Sequence, residues 1–110
     1  MPPINYGFEK LFSACHNAIG STGTPQKRLA SAVSDNLIYV KRENLPSDEV
    51  WQNLQQLIKA ATCKPVKGDE GTIEATTSRM SNDEASQWLE KMLEIFSDVA
   101  EEYGRLQGAE

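Results

Sequence analysis

An all-α fold, a four-helix bundle with a short extra helix ahead of a long C-terminal one, is predicted by three observations. Apolar residues recur at i, i+3, i+4, i+7 spacing in successive stretches, the stretches are bracketed by helix caps and stops, and no pair of alternating strand patterns occurs.

Phe8, Leu11, Phe12, Cys15, Ala18 and Ile19 form the first stripe, which Gly20 ends before the Gly20-Ser21-Thr22-Gly23 link. Thr24 followed by Pro25 reads as an N-cap with proline at the first helical position, where a missing amide hydrogen costs nothing. Leu29, Ala32, Val33, Leu37 and Val40 carry the second stripe. Pro46-Ser47-Asp48-Glu49 announces a third helix, its acids suiting the positive end of the helix dipole. Val50, Trp51, Leu54, Leu57, Ile58 and Ala61 continue it to about Cys63, because Pro65 disfavours helical geometry in Lys64. Both tryptophans, Trp51 and Trp88, lie on apolar stripes and are expected to be core anchors.

Thr72 is expected to cap a short helix through Ile73, Ala75 and Thr77 towards Met80, against the poor helix propensity of its threonines. The last helix opens on Ser81-Asn82-Asp83-Glu84, a Ser-x-x-Glu capping box, and runs through Ala85, Trp88, Leu89, Met92, Phe96, Val99, Ala100 and Tyr103. From Ser81 to Leu106 it would span about 39 Å, against about 24 Å for a 16-residue partner. Its far end must therefore pack on the first helix or the N-terminal arm, or be buried in a second copy, so a homodimer is one expected outcome.

A chain of 110 residues builds one modest core and not two, so a single domain over residues 1–110 is expected, with 1–5 as an N-terminal arm and 107–110 as a disordered tail. No apolar run approaches the roughly 18 residues of a membrane span, and the first residues lack the basic and apolar regions of a signal peptide. The expectation is a cytoplasmic protein with no membrane partner. Cys15 and Cys63 accordingly read as reduced thiols.

The net charge of -5 is unevenly spread: residues 1–64 hold seven Lys and Arg against five Asp and Glu (+2), and residues 65–110 hold four against eleven (-7). Such an acidic half repels nucleic acid and favours basic partners. The basic pairs Lys27-Arg28 and Lys41-Arg42 lack interleaved aromatics, which excludes a nucleic-acid signature. They are expected to pair with the acidic C-terminal region, Lys41 and Arg42 also suiting the negative end of the second helix.

Two acidic groups are candidates for function. At about 100° per residue, Glu90, Glu94, Asp98 and Glu101 fall within an arc of about 80°, nearly opposite the apolar stripe of the last helix. Acids so placed point to water rather than into a bundle-core metal site, and form either a solvated face or a docking surface for a Lys/Arg-rich partner. Asp69 and Glu70 sit in the glycine-bracketed turn Gly68-Asp69-Glu70-Gly71, one helical turn before Glu74. These three acids are candidate ligands for a hard divalent cation, although their spacing does not follow the calcium-loop pattern. Structurally, Asp69 and Glu70 simply favour the positive N-terminus of the helix that follows.

His16 adjoins Cys15, but neighbouring helical residues point about 100° apart, which works against a nucleophile and base pair within one helix. One His and two Cys fall short of a structural zinc site unless a carboxylate joins them. No catalytic residue and no cofactor are assigned.

The run Gly68 to Ile73 followed by Met80-Ser81-Asn82-Asp83-Glu84-Ala85, together with an Arg-Leu-x-x-Ala helix at Arg28 to Ala32, resembles small uncharacterised bacterial helical proteins. The resemblance implies a bacterial cytoplasmic origin and brings no activity with it.

The reading that follows is a non-catalytic protein-protein interaction module that presents Asp69, Glu70, Glu90, Glu94, Asp98 and Glu101 to a basic partner. Two alternatives stand beside it: a divalent-metal-dependent enzyme using Asp69, Glu70 and Glu74, and a small acidic regulator of the toxin-neutralising or phage-associated kind.

Overall fold

The computed structural model describes residues 3–63 and 71–108. Within them the fold is all-α, with α1 (Pro3–Gly20), α2 (Pro25–Asp35), α3 (Asp48–Thr62), α4 (Thr72–Thr77) and α5 (Asn82–Gly108), and two 3-10 turns, Leu37–Tyr39 and Arg42–Asn44, between α2 and α3.

The caps form as their chemistry dictates. The side-chain oxygens of Thr24, Ser47 and Ser81 accept the backbone N–H of Lys27 (3.2 Å), Val50 (3.2 Å) and Glu84 (3.0 Å), each satisfying one orphan donor of its helix. Gln26 ties the start of α2 to the α4–α5 junction, its Nε2 donating to the Met80 carbonyl (3.0 Å) and to Asn82 Oδ1 (2.9 Å).

Four boundaries differ from the sequence reading, the simplest being the end of α5, which runs through Gln107 and Gly108, inside the segment read as a disordered tail. α1 starts at Pro3, inside the segment read as an arm, and Ile4 packs against the core. α2 stops at Asp35 instead of running to Val40, where the short polar side chains of Ser34, Asp35 and Asn36 compete for backbone hydrogen bonds. Leu37 and Val40 are buried nonetheless, because a 3-10 turn also brings residues three apart onto one side. Lys41 and Arg42 therefore do not occupy a helix C-terminus, and Arg42 pairs instead with Asp48 at the start of α3, Nε to Oδ1 2.5 Å.

The fourth difference is α4, which begins at Thr72 after an N-cap at Gly71 and ends at Thr77, short of Met80. Its threonines are absorbed by burial. Thr76 and Thr77 are almost wholly enclosed, and their hydroxyls donate to the carbonyls of Thr72 and Ile73, each at 2.9 Å.

Leu11, Leu29, Val33, Leu37, Leu54, Leu57, Met92, Ile95 and Val99 are closed off from solvent at the centre. Trp51 and Trp88 are partly buried against this core. α1 and α5 lie antiparallel: Phe8 stacks on Tyr103 with ring centroids 4.2 Å apart and meets Phe96 at 5.7 Å, while Cys15, Ala18 and Ile19 face Leu89, Met92 and Leu93. The end of the long helix thus packs on the first, one of the outcomes its length required.

Candidate functional site

The sequence-predicted acids separate into three groups. Asp69 and Glu70 lie outside the described residues. Glu74 is exposed in the first turn of α4, on the wall of a cleft of about 830 Å3 between α2 and α4 that also takes in Lys27, Ser31 and Ser34. Among the described residues, no group of three or more His, Cys, Asp and Glu side chains is placed to hold a metal ion.

Glu90, Glu94, Asp98 and Glu101 are all exposed along α5, opposite the buried Ala85, Met92, Ile95 and Val99. Lys91 approaches the Glu94 carboxylate at 4.0 Å, near the limit of an ion pair and on the surface, where such a pair contributes little. Glu102 differs: Arg105 forks onto its carboxylate, Nε to Oε2 3.0 Å, and this hydrogen bond holds the Glu102 carboxyl below its ordinary pKa. The acid next in chain order is thus occupied by an internal partner, whereas the row is directed to solvent.

Beside the row runs a feature that periodicity alone missed. Leu93 is 51% exposed, Ile19 of α1 is 76% exposed, and both border a groove of about 220 Å3 between α1 and α5 with Cys15, Ala18, Leu89 and Met92. Phe12, 49% exposed, extends the apolar surface along α1, its ring 6.1 Å from Phe96 and 5.7 Å from His16. Arg28, whose Nε donates to the Gly23 carbonyl at 2.8 Å, and Glu90 are the charged residues that border the groove.

The stripe predicted for α5 included Leu89 and Phe96 but neither Leu93 nor Ile95, and these two go opposite ways. Ile95 is closed off at 1% exposure within the core, while Leu93 looks out. A wide apolar arc was the available signal: positions 89, 92, 93, 95, 96, 99, 100 and 103 span about 160° of the helix, against about 100° for an ordinary core-facing stripe.

Both cysteines are free thiols. Burial pushes the Cys15 thiol up to about 11, which removes it as a nucleophile at neutral pH, while Cys63 is exposed at the C-cap of α3. His16 is exposed and stacks on Phe12, one turn back along α1.

No helix among the described residues is long and apolar enough to cross a membrane. Compared with known proteins, the chain matches no family model, and neither a curated protein nor a solved structure is significantly similar to it.

Proposed function

We propose that the protein is a non-catalytic interaction module that binds a protein partner with a basic surface through the outer face of α5. The observation that carries this reading is the exposure of Glu90, Glu94, Asp98 and Glu101 on one helix face, with Lys91, among the described residues, approaching the Glu94 carboxylate at 4.0 Å. Four carboxylates left to solvent on a rigid helix raise the local concentration of cationic surfaces and steer their approach. The scaffold beneath them reads as four long helices, α1, α2, α3 and α5, with α4 bridging α2 and α3 at one end.

The test is affinity capture from the native cell at low ionic strength, with the wild-type chain beside a variant carrying Glu90→Gln, Glu94→Gln, Asp98→Asn and Glu101→Gln. A basic partner held by the wild type, released by salt and not held by the variant is the expected result. Equal capture by both proteins sinks the reading.

A further inference from the structure

The α1–α5 groove sits directly against the acid row. Around α5, Leu93 lies about 60° from Glu90 and about 80° from Glu101, so the exposed leucine and the near edge of the row belong to one continuous surface. The groove floor is apolar, formed by Cys15, Ala18, Leu89 and Met92, and its lips are Ile19 and Leu93, two large aliphatic side chains at least half exposed. Isolated exposed aliphatics are ordinary, but a pair flanking one apolar channel between two antiparallel helices, continued by Phe12, is the kind of patch that marks an interaction surface.

Resting on the interaction role proposed above, we infer that this groove receives an amphipathic helix whose apolar face lies between Ile19 and Leu93 and whose flanking Lys or Arg side chains meet Glu90, Glu94 and Glu101. Two considerations select this occupant. A channel between two helices accepts a third helix by its i, i+3, i+4, i+7 side chains. The acids on the α5 rim then fix the sign of that helix's facing flank, rejecting an acidic helix and favouring a basic one, while Arg28, which also borders the channel, turns its Nε to the Gly23 carbonyl. A second copy of the chain fits less well, because a two-fold axis through the groove would bring a second row of acids to the same seam.

The test uses two synthetic 18-residue peptides of equal lysine content, one with leucines at i, i+3, i+4, i+7 and one with serines in their place. Binding is followed by fluorescence anisotropy and by backbone amide shifts of the labelled full chain. The leucine peptide is expected to bind at least about tenfold more tightly, the gain from burying about one leucine side chain. Its shifts should centre on residues 15–19 and 89–93, and the combined Ile19→Gln and Leu93→Gln variant should lose the gain while keeping its own fold.

Equal affinity for the two peptides, or shifts centred on the α2–α4 cleft, overturns the inference. So does a wild-type chain that sediments as a dimer and becomes monomeric with Leu93→Gln. Loss of serine-peptide binding when the acids are neutralised, with no gain from leucines, removes the groove proposal and leaves the interaction role standing. Binding of both peptides that ignores the neutralised acids removes the interaction role itself.

Discussion

Gly7 of α1 lies against the backbone of Asn44 in the second 3-10 turn, so close that a Cβ on residue 7 would overlap the Asn44 carbonyl oxygen and stand 3.1 Å from its carbon. Asn44 is itself buried, accepting the Lys41 N–H on Oδ1 at 2.8 Å and donating from Nδ2 to the Pro3 carbonyl at 3.1 Å. This one contact seats the connection between α2 and α3 on the first turns of α1, and so fixes the start of the helix whose far end forms the groove.

Gly7→Ala is expected to lower stability by about 1–3 kcal/mol, the cost of overpacking against backbone that cannot rotate away. Gly104→Ala provides the contrast. Nothing approaches within 4 Å of a Cβ there, and the position is exposed and helical, so the change should add about 0.5–1 kcal/mol. Urea unfolding of both variants checks the pair, and a Gly7→Ala protein as stable as wild type would show that α1 and the turn do not meet.

Asn44→Ala removes both side-chain hydrogen bonds and leaves the Lys41 N–H without its acceptor. The expected loss is about 1–3 kcal/mol, the desolvation cost of a buried polar group left unpaired. Hydrogen exchange should also quicken at the amides of residues 41 and 44 and in the first turns of α1, while α3 keeps its protection.

Leu93 and Ile95 are two residues apart and should respond oppositely. Ile95→Ala deletes a side chain closed off from solvent and is expected to cost about 2–5 kcal/mol. Leu93→Gln changes a half-exposed position to a residue of similar helix propensity and should stay within about 1 kcal/mol of wild type. Parallel denaturation curves read both, and a Leu93→Gln protein as damaged as Ile95→Ala would place Leu93 in the core.

The thiols should differ in the same way. In the native protein at pH 8, a disulfide-exchange reagent is expected to titrate one thiol rapidly, the one lost in Cys63→Ser, and to reach Cys15 only in denaturant. For Cys15 the folded-state value is raised from 9.0 to about 11, so between those pH values the unfolded chain has released a proton that the folded chain retains. Stability contributed by the protonated thiol is therefore full below about pH 9 and lost as pH rises towards 11, a slope that Cys15→Ala should reduce. Thermal unfolding of both proteins across pH 8 to 11 measures it.

Local rules carried far in this chain wherever one residue decides its own neighbourhood. Thr24-Pro25, Ser47 and Ser81 mark their helix starts because a hydroxyl three residues ahead of an orphan N–H is a complete local device. The acid row on α5 was legible for a similar reason: helical periodicity alone sets which side chains share a face.

What the sequence by itself determined, then, is the helical class, the caps of α2, α3 and α5 and the sign of the charge on α5. The tertiary structure decided where α2 gives way to 3-10 turns, that Thr76 and Thr77 are buried, and that Ile95 is covered while Leu93 is not. The physical reason is that a helix with an apolar arc wider than one neighbour states only how much it would bury. Which part is covered depends on where the other helices stand, and here α1, seated through Gly7 on Asn44 and through Phe8 on Tyr103, covers one flank of α5 and leaves Leu93 at the edge of the groove.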